Sequence, residues 1–100
     1  EHIEPDNLIS VLTDIRKHTK KFFFCIIDLL PARKNLNDGR NAHIMLAPPG
    51  WWLNILLENF KSGHYYLYEE GLLNKKLCFL GVKDMKYSKI SSKLFAATFF

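Results

Sequence analysis

Residues Phe22-Phe23-Phe24-Cys25-Ile26-Ile27 constrain this chain most. They form its longest uninterrupted apolar run, with no position left for a solvated side chain. Six residues cannot cross a bilayer, which needs roughly 20 in a helix. In a strand, successive side chains alternate between the two faces of the sheet. A strand apolar at every position therefore asks to be covered on both faces, and the run reads as a central, doubly covered strand.

The segments around it supply the covering material. Pro5 suits a first helical turn, with Glu4 and Asp6 near the positive end of the dipole. Leu8, Leu12 and Ile15 then recur on one stripe, and Arg16, Lys17 and His18 close the helix favourably. Residues 28–41 read as a long loop carrying Pro31, Asn35 and the turn signal Asn37-Asp38-Gly39. A second strand is expected over Ala42–Ala47. Pro48-Pro49-Gly50 breaks it and opens a helix near Trp51, whose apolar stripe is read as Leu53, Leu56, Leu57 and Phe60, with Gly63 as its stop. Residues 64–82 read as a hairpin turning at Glu70-Gly71. Tyr87, Ile90, Leu94 and Ala97 have helical spacing, with Asp84 as a cap.

The expected fold class is α+β: a small single-sheet sandwich in the order α-β-β-α-β-β-α, mostly antiparallel, with helices packed mainly on one face. One hundred residues suit one domain. The start at Glu1 and the apolar end Phe99-Phe100 read as a piece of a longer protein.

Charge is uneven. Residues 1–14 carry four acids and no base, so all 14 bases fall in the remainder and the net charge is +4. A basic body favours anionic partners without identifying them. Cys25 and Cys78 are far apart and embedded in apolar runs, which suits inert thiols in a reducing, intracellular setting, cytoplasmic or nuclear. No membrane association is expected.

Motifs for chemistry are absent. His2, His18, His43 and His64 never pair at helical spacing, and no metal site or cofactor is expected. There is no phosphate-binding glycine loop, and the five single glycines read as turn punctuation. Asp28 with Glu69 or Glu70, at strand ends, is the one carboxylate set that a metal-dependent nuclease could use. Solvated turn acids explain these residues as well, and catalytic residues are not assigned.

The aromatic residues carry the functional expectation. Neighbours on a helix diverge by about 100°, so Trp51 and Trp52 cannot both face one apolar stripe. On a strand, Tyr65 must oppose Tyr66, His64 and Tyr68. Some of these rings should meet solvent, unless they only staple the edge of the core. The first expectation is a non-enzymatic module binding RNA or another nucleic acid. Trp51, Trp52 and Tyr65 would be stacking surfaces, and Arg33, Lys34, Arg40, Lys75 and Lys76 phosphate contacts. The alternative is a protein–protein docking or dimerisation domain using the same rings and the apolar C-terminus.

Overall fold

The computed structural model describes residues 1–60 and 62–99. A 3₁₀ turn at Pro5–Asn7 leads into α1 (Leu8–His18), followed by β1 (Phe22–Asp28), α2 (Pro49–Asn59), β2 (Ser62–Glu70), β3 (Asn74–Val82), a second 3₁₀ turn at Met85–Tyr87, and α3 (Ser88–Phe99). The sheet is antiparallel, in the order β1-β3-β2. The α+β class, the single antiparallel sheet and the helices laid against it are as the sequence predicts. Phe100 and the Phe99 side chain, expected to add to a docking surface, lie outside the described residues.

Two placements differ from expectation. Residues 42–47 join no ladder; Asn41, just before them, forms only an isolated bridge to Asn35. This segment is tied down instead by the chain's first residues: Met45 N–H donates to the Glu1 carbonyl at 2.9 Å. The all-apolar run is also an edge strand, because β3 takes the central position between β1 and β2. β3 is the strand best buried on both faces, with Leu77, Phe79 and Val82 at 0% exposure.

Register assigns each side chain a face. Phe23, Cys25 and Ile27 lie opposite Gly81, Phe79 and Leu77, and belong to the face covered by α1 and α2. Phe22, Phe24 and Ile26 lie opposite Val82, Leu80 and Cys78, and share the face that carries α3. On the first face, Leu8 and Leu12 of α1 meet Trp52, Ile55 and Leu56 of α2 over Ile27, Leu77 and Phe79. On the second, α3 sits over β2 and β3, burying Phe95 and Ser91.

The buried stripe of α2 is Trp52, Ile55 and Leu56, running on to Phe60, one position away from the expected stripe. Leu57, expected inside, is 46% exposed. This helix is apolar around most of its circumference, so periodicity alone does not select its inward side. Choosing the Trp52 side buries the larger ring.

Gly63 and Gly81 are not turn residues. They face each other across β2 and β3. A Cβ on Gly63 would lie 2.6 Å from the Phe79 ring, and one on Gly81 would lie 2.8 Å from the Phe60 ring. The glycines leave room for aromatic rings to lie flat on the sheet, and Phe23 stacks on Phe60 at 5.3 Å. Gly71, at φ +58°, does make a turn, closing the β2–β3 hairpin.

Candidate interaction surface and histidine cluster

The expected nucleic-acid residues fall in several different settings. Trp51 is 40% exposed, but Trp52 is 3% exposed and packed in the core. The two rings meet edge-to-face at 5.1 Å. Among the described residues, the buried Trp52 Nε1–H has no hydrogen-bond partner. Tyr65 is 58% exposed, opposite Phe79 on the α1/α2 side. Arg33 and Lys34 are exposed in the long loop.

Arg40 is already engaged. Its guanidinium reaches both carboxylate oxygens of Glu4, at 3.0 and 2.8 Å, and donates through Nε to Asp38 at 2.8 Å. The Arg40 backbone N–H, donating to Asp38 at 3.1 Å, and then the guanidinium hold the Asp38 carboxyl below its ordinary range; the guanidinium does the same for Glu4 and is itself raised above its own range. Lys75 pairs with Glu69 at 3.5 Å. Lys76 is a strand neighbour of Lys75 and so projects to the opposite face, where it aligns with Asp28 and Tyr68. The eight expected contacts are thus divided among a core, an internal clamp and two faces.

The acids of the nuclease alternative are also dispersed. Asp28 and Glu69 lie on opposite faces of the sheet with β3 between them, and Asp28 accepts from its neighbour's backbone, Leu30 N–H, at 3.1 Å. Tyr68 donates to Glu70. A Ser–His contact exists in α3, but its proton runs the wrong way for a nucleophile. Ser91 Oγ–H donates to the Ser88 carbonyl at 2.7 Å, so it accepts from His64 Nε2, 3.0 Å away, and Ser91 is fully buried. Cys25 and Cys78 are free thiols. Burial above all, with Cys78 beside it, pushes the Cys25 thiol up to about 12, and burial raises Cys78 as well, which suits inert cysteines.

What sequence reading missed lies on the α3 face. α3 covers β2 and β3 but leaves Phe24 and Ile26 of β1 at 47% and 52% exposure. A groove runs between β1 and α3, lined by Phe24, Leu80, Leu94, Phe95 and Thr98. Leu94 is 47% exposed, and Ile90, one turn earlier, is 57% exposed. No acid occurs between Met85 and Thr98, while Lys86, Lys89 and Lys93 flank this helix. An apolar strip with a basic bank results.

Comparison with protein-family models, curated proteins and solved structures finds no match. No helix among the described residues is long and apolar enough to cross a membrane.

The second assembly is a cluster of side chains far apart in sequence. One ligand-capable atom each from Glu1, His2 and His43 lies within 4.8 Å of the others. The two imidazole rings meet edge-to-face at 4.9 Å. Helical spacing could not have found this pair. Its only sequence signal is the combination of an acidic, His-bearing lead-in with a long loop that needs anchoring.

Proposed function

We propose that this domain is a non-enzymatic docking module whose α3 face accepts one amphipathic helix of a partner protein, apolar on its inner side and acidic on its flank. The observation that carries this reading is the mismatch at β1. The strand is apolar from Phe22 to Ile27, yet on the α3 face Phe24 and Ile26 keep about half their surface in water. A helix laid in the groove beside Leu94 would cover them, the helix-in-groove mode of peptide recognition. The basic bank of Lys86, Lys89 and Lys93 favours an acidic flank on the incoming helix and speeds its encounter.

The RNA expectation keeps Trp51, Tyr65 and Lys75 on the α1/α2 side and Arg33 and Lys34 on the loop, with Trp52 buried and Arg40 paired to Glu4 and Asp38. One titration series separates the alternatives. A labelled, designed Leu/Glu amphipathic helix, its scrambled-sequence control and a mixed single-stranded RNA pool are each titrated with the domain at low and high salt. Sedimentation is measured in parallel. The designed helix is expected to bind at micromolar concentration, and Ile26→Glu to weaken it at least tenfold while the circular dichroism spectrum is unchanged. Equal binding of the scrambled control, or indifference to Ile26→Glu, overturns the proposal. Binding of RNA alone, lost in Trp51→Ala and falling steeply with salt, replaces it with the nucleic-acid reading. Concentration-dependent doubling of mass, abolished by Ile26→Glu, replaces it with self-association.

A further inference from the structure

We propose that Glu1, His2 and His43 form a binding site for a divalent transition-metal ion, with Zn²⁺ the best match to the ligand types. The chain brings these residues together without using the α3 face. The lead-in runs beside the end of the long loop, fastened by the bond from Met45 N–H to the Glu1 carbonyl and by the Arg40 clamp on Glu4. The loop is itself braced. Asn41 exchanges two bonds with the backbone of Ala32, at 2.8 and 2.9 Å, and its side-chain oxygen also accepts from His43 N–H.

The hydrogen bonds of the two imidazoles then fix their chemistry. His2 Nδ1 lies 3.0 Å from the Ala42 carbonyl, and His43 Nδ1 lies 2.6 Å from the Leu30 carbonyl. A carbonyl oxygen can only accept, so in both rings Nδ1 carries the proton. In the neutral imidazole the lone pair is therefore on Nε2. Metal-binding histidines are characteristically oriented this way, with the second ring nitrogen donating to a backbone carbonyl or a carboxylate. Two histidines, remote in sequence, share this arrangement within contact distance of each other.

Glu1 supplies the anionic ligand. Its Oε1 lies 3.8 Å from His2 Nε2, and its side chain is 16% exposed. Ligands of a tetrahedral zinc ion stand about 3.3 Å apart, given metal–ligand bonds near 2.0–2.1 Å. The observed spread of up to 4.8 Å closes by rotating side chains, of which His2, at 65% exposure, is the freest. Two imidazoles and a carboxylate suit a borderline ion rather than Mg²⁺ or Ca²⁺, which prefer oxygen. Three protein ligands leave a fourth position for water. An ion held there would cross-link the lead-in to the loop beside the end of β1.

The test is a titration of the purified chain with Co²⁺, followed by absorbance, and with Zn²⁺, followed by calorimetry. The expected result is one ion per chain, bound at micromolar concentration, with no thiolate-to-cobalt charge-transfer band. His43→Asn keeps a donor near the Leu30 carbonyl but removes Nε2; it should weaken binding at least tenfold with the fold intact by circular dichroism. His2→Ala should do the same. A chain extended by several residues ahead of Glu1 should bind equally well, since side chains and not a terminal amine hold the ion. No stoichiometric binding at ~0.1 mM metal, well above the micromolar dissociation constant expected, overturns the proposal. So does binding that survives His43→Asn, or that disappears when the chain is extended.

Discussion

The two faces of the sheet are built from the same three strands and treated differently. One carries α1 and α2, and closes over Leu77 and Phe79 until both are wholly buried. The other carries α3 alone, displaced toward β2 and β3, and leaves the β1 side of its surface half in water. The uncovered places are complementary: Tyr65 and Leu67 of β2 are exposed on the two-helix face, and Phe24 and Ile26 of β1 on the one-helix face. A three-stranded sheet is wide enough that one helix cannot cover it. Stability is therefore concentrated on the first face, and the β1 side of the second stays half-exposed.

The largest test of this asymmetry is a matched pair of truncations. Phe79→Ala should cost about 3–5 kcal/mol, the range for a large aromatic ring lost from a packed core. Phe24→Ala should cost no more than about 1.5 kcal/mol, because half of its surface is already hydrated. Urea unfolding of both variants measures the difference, and equal losses would break the comparison.

Next in size is the glycine pair. Gly63→Ala should destabilise by about 1–3 kcal/mol, the cost of forcing a packed ring aside, because its new methyl would meet Phe79 at 2.6 Å. Gly50→Ala, where nothing lies within 4 Å, is the control, and should leave the urea midpoint nearly unchanged.

A spectroscopic test sharpens the comparison inside α2. With Trp51→Phe the remaining indole is buried, and its emission should be blue-shifted and shielded from acrylamide. With Trp52→Phe the remaining indole is exposed, and its emission should be red-shifted and readily quenched. Identical quenching constants would contradict the burial of Trp52.

The smallest effects are those of pH. The Cys25 thiol titrates higher in the folded chain than its ordinary value of 9.0. Its contribution is fully present below that value and is lost as pH rises toward 12, so stability should decline on the alkaline side, and less so in Cys25→Ala. Glu4 and Asp38 behave oppositely. Their folded values are depressed by Arg40, so their contribution is present above the unfolded carboxylate range and is lost as pH falls through the folded values. Arg40→Met should flatten chiefly the Glu4 part of this acid limb, because the residue-40 backbone N–H still reaches Asp38, and added salt should weaken the clamp as well, since it is exposed.

Much of the architecture is legible from local pattern. The α1 stripe, the hairpin and the helical spacing near the C-terminus each match one period, and those elements form. What escapes the sequence is the choice among equally apolar alternatives. The run at β1 requests two covers, and pattern does not say that only one is supplied within this chain. The α2 helix offers two stripes, and only packing decides that Trp52 goes inside and Trp51 out. Residues 42–47 have strand-like composition but join no ladder; Met45 bonds to the lead-in at Glu1 instead. The histidine cluster depends on that same docking, between segments some forty residues apart, and no spacing rule reaches so far.

The facing glycines of β2 and β3 have a consequence for how this hairpin finds its alignment. Sliding one strand by two positions would keep every side chain on its proper face, so alternation alone tolerates the error. It would also bring Tyr65 or Phe79 opposite a glycine and part the two bare positions on which the rings rest. Only one alignment gives both Phe60 and Phe79 a flat seat, so the pair works as a key that fits the hairpin in a single way.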